Sequence, residues 1–327
     1  MANLTTKYMG LTLKNPIVAA SSNLTSNVEG LKNMEDNGVG AVVLKSLFEE
    51  QIRADLDDFT IFSGSSWEAE AYEYVSQIGM KIGSEGYLEL IREAKKAIDV
   101  PVIANLNCIS ADKWLDYAKQ IQKVGADGLE LNIAYPAGNF SKNSRKIEKI
   151  YLNIIDRVRS VTKLPIAVKL GQNFTSLGSF SQELRHKDIQ AIALFNRFCS
   201  IDLDIQKEEL IANNSLSSAN DYFETLRWIS ILYERTECDL AATTGIHDSN
   251  AIIKQLLSGA SVVQICSVLY KQGIECICKL TSEIENWMDE KGYGLIEDFQ
   301  GKLSQKNSLY PEVFDRVQYL KNIAKQD

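Results

Sequence analysis

The chain has 327 residues, of which 45% are hydrophobic and 24% charged, and its formal net charge is −8. That balance suits a globular protein with a full core. The negative sign argues against a general nucleic-acid binder, which needs a basic surface, but leaves a locally held phosphate-bearing small molecule open.

In chain order, LTTKYMGLTLKNP reads as an N-terminal hairpin lying across the bottom of whatever follows. Short apolar, β-branched runs then recur at PIVAA (16–20), VGAVVLKS (39–46), PVIANL (101–106) and GLELNI (128–133). They continue at PIAVKL (165–170), IQAIALFN (189–196), CDLAATTG (238–245) and SVVQICSVL (261–269). Helical patterns lie between them at 84–98, 111–125, 146–162, 219–236 and 248–259. In the second, Trp114, Leu115, Ala118, Ile121 and Val124 recur at helical spacing and Gly125 is placed to cap it. Asp248 and Ser249 are N-cap candidates for the last. Eight strands alternating with helices require parallel crossovers and predict a (β/α)₈ TIM barrel, a single domain over 1–327. The extra length falls after strand two (47–83), after strand six (197–218) and at the C-terminal end (291–327).

No apolar run approaches the roughly 18–20 residues of a membrane span. The N-terminus lacks the apolar core of a secretory signal, so a cytoplasmic protein with reduced thiols is expected. Only His186 and His247 are available, which excludes a histidine-rich metal site. Cys276 and Cys278, two apart in a probable helix, point in different directions and make a poor metal or redox pair.

In a barrel of this kind the active site lies at the C-terminal ends of the strands. Those ends carry Ala20, Ser21 and Ser22; Lys45 and Ser46; Asn105 and Asn107; Asn132; Lys169; Asn196; Thr243, Thr244 and Gly245; Cys266 and Ser267. Strand ends turn polar merely by meeting water, which accounts for one or two asparagines. It accounts less well for Lys45 and Lys169, which follow apolar strands with no carboxylate next to them. Barrels often hold a phosphate with the loops after strands seven and eight, and TTGIHDSN (243–250) with QICSVLYKQG (264–273) suits that use, although it is poor in glycine. His247 is an ordinary loop histidine or a phosphate contact. A phosphate there and lysines from strands two and five describe a phosphorylated cofactor. FMN fits, because an ammonium at the N1–C2 carbonyl edge of its ring stabilises the negative charge gained on reduction.

The ordered set NPIVAASS (15–22), VVLKS (42–46), PVIAN (101–105), ELNIAYP (130–136), PIAVKL (165–170), TTGIHDSNAIIKQLLSGASVVQICSVLYKQG (243–273) and GYGLIEDFQGKL (292–303) resembles the dihydroorotate dehydrogenase family, in its soluble class 1 branch. The resemblance implies FMN held by Ala20, Ser21, Lys45, Ser46, Asn105, Asn132, Lys169, Thr244, Gly245 and Ser267, with Asn132 and Asn196 facing a small-molecule substrate. It also implies a homodimer, no membrane-binding extension, and oxidation of dihydroorotate to orotate in pyrimidine biosynthesis, with hydride passing to flavin N5. Fumarate is the acceptor expected of one branch, and the partner-dependent branch would need an iron–sulfur subunit.

The departures lie on the substrate side. Tyr135 stands where the family's strand-four loop has a cysteine base, and Ala137 where it has a second asparagine. Arg197 follows Asn196 in place of a serine, Ser76 stands where an asparagine is expected, and NNSLSSAN (213–220) replaces a glycine-rich stretch. Cysteine ordinarily titrates near about 8.5 and tyrosine near about 10, so a tyrosine acts as a base only beside a cation. Tyr135 is therefore a candidate catalytic residue, as a base beside a lysine or arginine or as a neutral general acid, with packing or stacking as the alternative, and Lys45 is a second candidate. Rival functions are the same flavin chemistry on a different cyclic amide or unsaturated substrate, a Schiff-base lyase built on an unpaired Lys169, and a flavin-binding protein without turnover.

Overall fold

The structure, a computed structural model, describes residues 2–55, 83–110, 115–135, 138, 140–197, 200–213 and 216–314. Trp114, Ser76, Pro136 and Ala137 lie outside the described residues. The barrel strands are β1 Ile17–Ala19, β2 Ala41–Val43, β3 Val102–Cys108, β4 Gly128–Ile133, β5 Ile166–Leu170, β6 Ala191–Leu194, β7 Asp239–Thr243 and β8 Val262–Ile265. Each pairs in parallel with the next, and β8 closes onto β1 through Val263↔Ile17. The TIM barrel expected from the alternation is the fold.

The outer ring is α1 Val28–Asp36, α2 Ser84–Ala97, α3 Leu115–Lys123, α4 Ser144–Arg159, α5 Leu177–Arg185, α6 Tyr222–Leu232, α7 Ser249–Ser258 and α8 Cys276–Lys291. Local chemistry sets their ends. Asp248 caps α7 by accepting from the Ala251 N–H at 2.8 Å, and Gly259 stops it at φ +118°. In α4, Asn143 accepts from the Lys146 N–H at 3.0 Å, and Tyr151, Ile154, Ile155 and Val158 form the buried stripe. Cys276 is buried and Cys278 exposed on α8, as their spacing requires.

Several strand expectations were too long, among them 189–196 and 238–245, which form strand only over Ala191–Leu194 and Asp239–Thr243. The run at 261–269 is a strand only over Val262–Ile265, and Ser267–Gln272 is helical. The run at 39–46 forms strand only over Ala41–Val43. A short strand suffices to cross this barrel, and the apolar residues beyond it are buried from a different element: Val268 and Leu269 pack into the core from a helix. Apolar content alone does not separate those cases. The segment after strand two begins with Leu47–Phe48, which pairs with β3, and a helix Glu49–Asp55. The segment after strand six forms an antiparallel hairpin, Ser200–Asp204 with Glu209–Asn213.

The barrel interior is layered. Small side chains, Ala41, Ala167, Ala191, Ala193 and Ala241, leave room at the bottom for Tyr8 and Met9 of the N-terminal hairpin, whose strands are Thr6–Tyr8 and Leu11–Leu13. Asp239 accepts from the Met9 N–H at 2.7 Å and ties the hairpin down. Above this plug the interior turns polar, with Asn105, Glu130, Lys169 and Gln264 all buried. The polar layer is the floor of the site.

Asn15 fastens the entry to β1: its Nδ2 donates to the Gly38 carbonyl at 2.6 Å and its Oδ1 accepts from the Ile17 N–H at 3.0 Å. Its backbone oxygen would lie 2.2 Å from a Cβ at Gly40, so the two loops are in contact. Asn15→Ala orphans a buried donor and an acceptor, and should lower the unfolding free energy by about 2 kcal/mol in urea titration. An unchanged midpoint would show the brace to be dispensable.

Candidate active site

At the C-terminal rim a cavity of about 530 Å³ is lined by Ala20, Ser21, Lys45, Ser46, Lys169, Asn196, Thr244, Gly245 and Ser267, all of them predicted site residues. Ser21 and Ser46, from the ends of β1 and β2, meet at 3.1 Å through their hydroxyls. Asn132 stands just behind the wall, where its Oδ1 accepts from Asn196 Nδ2 at 2.9 Å. Asn105 lies mid-strand, not at the rim, and is fully buried. Its backbone is gripped from α2: the Asn105 N–H donates to the Tyr87 hydroxyl oxygen at 2.8 Å.

Tyr135 does not line this cavity. It borders a neighbouring one of about 520 Å³, with Lys142, Tyr151, Asn173 and Phe174. Lys142 Nζ donates to its phenol oxygen at 2.5 Å and lies 4.8 Å from its ring centroid.

The floor corrects one expectation. Lys169 has no carboxylate next to it in sequence, but β4 brings one: Glu130 Oε1 is 3.5 Å from Lys169 Nζ. Glu130 also accepts from Asn105 Nδ2 at 2.6 Å and from Gln264 Nε2 at 2.5 Å, while Gln264 Oε1 accepts from Lys169 Nζ at 3.0 Å. A buried ion pair needs further hydrogen bonds to offset its desolvation: the two amides occupy both Glu130 oxygens, and Gln264 also accepts from the Lys169 ammonium. Asn105 Oδ1 is left buried with no partner among the described residues.

The loops after β7 and β8 form the opposite wall. Thr244 and Gly245 both hold positive φ, +77° each, and a Cβ on Gly245 would sit 2.2 Å from the Tyr222 nitrogen. Glycine is therefore obligatory at 245, whereas Thr244 is tied by its hydroxyl to the Phe195 carbonyl at 3.1 Å. Ser217, from the glycine-poor loop after the hairpin, ties this wall together. Its hydroxyl accepts from the Gly245 N–H at 3.3 Å, its N–H donates to Ser267 Oγ at 3.0 Å, and its carbonyl accepts from Lys271 Nζ at 2.6 Å. His247 Nε2 is 3.1 Å from the same hydroxyl.

Cys266, one of the strand-end residues, lines the cavity, whereas Glu130, Gln264 and Arg197 are residues of this region that strand-end reading did not single out. Glu130 carried a signal: a carboxylate inside an otherwise apolar strand is rarely buried unless paired. Burial pushes the Cys266 thiol up, with Lys169 pulling it back. Arg197 lines the cavity with its Nε 3.9 Å from Asp221, whose carboxyl is held low by hydrogen bonds from Ser218.

The family model described as dihydroorotate dehydrogenase matches residues 3–288, which takes in every barrel strand. The chain belongs to the dihydroorotate dehydrogenase family. Similar relatives include the dihydroorotate dehydrogenase B (NAD⁺) catalytic subunit of Thermoplasma acidophilum, 25% identical over 306 residues, covering 92% of this chain and 99% of the relative. That of Pyrococcus furiosus is 24% identical, with 92% and 98% covered. The dihydroorotate dehydrogenase (fumarate) of Saccharomyces mikatae is 27% identical over 335 residues, with 93% and 99% covered. The match of the family model ends inside α8, so the C-terminal extension from 291 onward lies beyond it.

Burial, and after it the ammonium of Lys271, depresses the His247 pKa. The folded protein thus favours neutral imidazole. The contribution of His247 to stability is complete above the ordinary value of about 6.5 and is lost as pH falls from there through the folded value. Melting temperatures measured between about pH 7.5 and 5 should fall less for His247→Gln than for the wild type; parallel curves would refute this.

Proposed function

We propose that this member of the dihydroorotate dehydrogenase family is an FMN-dependent oxidoreductase that oxidises dihydroorotate to orotate at a CH–CH bond, a step of pyrimidine biosynthesis. The observation that carries the reading is the cavity floor. A buried ammonium, Lys169, stands beside a layer in which Asn105 Oδ1 is a buried acceptor without a partner among the described residues. Above that layer the cavity is lined by donors, Lys45 and Lys169 with the hydroxyls of Ser21, Ser46 and Ser267. The donor set therefore fits FMN. Lys45 and Lys169 would hold the ring's carbonyl edge, Ala20, Ser21 and Ser46 its near side, and Thr244, Gly245 and Ser267 the phosphate.

Bound there, FMN would supply the two-electron acceptor that no side chain provides. The chain supplies position and charge. Lys45 and Lys169 stabilise negative charge developing beside them. The Asn132–Asn196 hydrogen bond leaves Asn132 Nδ2 as a donor and Asn196 Oδ1 as an acceptor for a planar amide substrate. Lys142 donates to Tyr135, which leaves the phenol's own hydrogen available for transfer, and this supports acid–base work at the family's base position. Two observations favour a second reading, the same chemistry on a related cyclic amide: Arg197 lines the cavity, and Tyr135 borders a different one. A Schiff-base role for Lys169 is disfavoured by its bond to Gln264 and its proximity to Glu130.

The reading extends to the whole chain, 1–327, as one domain, and to a cytoplasmic homodimer. Among the described residues no helix is long and apolar enough to cross a membrane. The dimer is supported by the hairpin after β6, where Ile201 is 79% exposed, Leu203 63%, Ile205 80% and Leu210 70%, and Leu203 faces Leu210 across the strands. Exposed apolar patches of this kind mark interaction surfaces.

The purified protein should be yellow and should bleach under anaerobic dihydroorotate, with recovery of colour on adding fumarate or NAD⁺ separating the two acceptors. A colourless protein that cannot take up FMN would end the flavin reading, and a yellow one that stays yellow would move the substrate to another cyclic amide. Tyr135→Phe should slow bleaching at least about ten-fold if the hydroxyl moves a proton; an unchanged rate reduces Tyr135 to packing. By light scattering the wild type should weigh two chains and Leu203→Asp one. Equal masses for the two would remove the hairpin from the interface.

A further inference from the structure

The carboxylate of Glu130 is fully buried in the barrel interior, yet three of the groups that define the site floor depend on it. Both oxygens are occupied: Oε1 by Asn105 Nδ2 at 2.6 Å and Oε2 by Gln264 Nε2 at 2.5 Å, with Lys169 Nζ 3.5 Å from Oε1. An ionised carboxylate only accepts, and a primary amide donates from one end and accepts at the other. Two amides that must both donate to Glu130 therefore have only one orientation each. Gln264 must turn its oxygen away from Glu130, and that oxygen receives Lys169 at 3.0 Å. Asn105 must likewise keep its Oδ1 off Glu130, and that atom is the buried acceptor with no partner among the described residues.

From this geometry we infer that Glu130 is the positioning residue of the site: its carboxylate fixes the Asn105 and Gln264 amides and balances Lys169, so that Gln264 and Lys169, which line the cavity, are held in one arrangement towards the ligand. The inference rests on the flavin reading for the identity of that ligand. The donor pattern itself rests only on the bonds above.

A glutamine at 130 keeps the shape but has a single acceptor. If it accepts from Asn105, its NH₂ confronts Gln264, which must rotate and turn its own NH₂ towards the Lys169 ammonium. If it accepts from Gln264, Asn105 must rotate, and the orphan acceptor becomes a donor. Either way the floor is wrong and Lys169 has lost its counter-charge. A second substitution repairs the arithmetic. In Glu130→Gln with Gln264→Glu, Asn105 donates to the new amide at position 130. That amide donates in turn to the new carboxylate at position 264, which also pairs with Lys169. Every donor again has an acceptor and the charge is restored.

The test compares the wild type, the single variant E130Q and the double variant E130Q/Q264E. The readouts are FMN dissociation constant, midpoint potential of the bound FMN, and melting temperature of the flavin-free protein. E130Q should bind FMN at least about ten-fold more weakly, with its potential shifted positive because a nearby negative charge is gone. The double variant should return affinity and potential most of the way to wild type. An E130Q protein with wild-type affinity and potential would overturn the inference, as would a folded double variant no better than the single. If E130Q does not fold, a folded double variant with near wild-type potential supports the inference, and failure of both to fold overturns it. A wild type that rejects FMN defeats the flavin reading. The network is then judged by melting temperature, where E130Q must fall and the double variant must recover, and three equal values would overturn it.

Discussion

A carboxylate with no access to water sits at the centre of this barrel, and much of the site follows from how it is satisfied. Removing an ion pair from water costs several kcal/mol per charge, recovered only with good geometry and complete hydrogen bonding. Glu130 and Lys169 lie on adjacent strands, Asn105 and Gln264 flank them, and the four side chains form one connected set. Partly satisfied buried networks are unfavourable and fully satisfied ones specify a single arrangement. Here every Glu130 oxygen is taken and Gln264 is bonded at both ends, while Asn105 Oδ1 is the one amide oxygen of the set without a partner among the described residues.

The layers below and above serve that floor. Beneath it, the N-terminal hairpin fills the barrel with Tyr8 and Met9 over a lining of alanines, so the polar layer has a dry base. Burial raises the Tyr8 hydroxyl, with Glu130 and Asp239 adding to the effect, which keeps that hydroxyl neutral beneath the carboxylate. Above it, the walls are loops whose conformations are narrowly specified: Gly245 lies against Tyr222, and Ser217 bonds with Gly245, Ser267 and Lys271. The glycine-poor loop after β6 thus contributes to the wall formed by the loops after β7 and β8 through a serine hydroxyl as well as its backbone.

Much of this was legible in the chain. Alternating apolar and helical periods gave the barrel because parallel strands need helical crossovers. Polar residues at strand ends gave most of the cavity lining because that rim is where barrel strands open to ligand. Strand lengths were less legible, since Val268 and Leu269 are equally apolar on a strand or on a buried helix face. The pairing of Lys169 was not legible, because its partners Glu130 and Gln264 are 39 and 95 residues away (169 − 130 and 264 − 169). The place of Tyr135 was not legible either: sequence sets it next to strand four, but it borders a second cavity, where Lys142, just ahead of α4, donates to its hydroxyl.

The sequence by itself determined the order of strands and helices, the family, and the residue types available at the rim, since all of these are written in local period and motif. The tertiary structure alone decided which polar groups face one another: that Asn105 joins Glu130, that Asn132 joins Asn196, and that Lys169 is held between a carboxylate and an amide. The reason is register. A one-residue shift between neighbouring strands would turn these side chains out of the barrel, and register is set by the closure of all eight strands at once, not by any one of them.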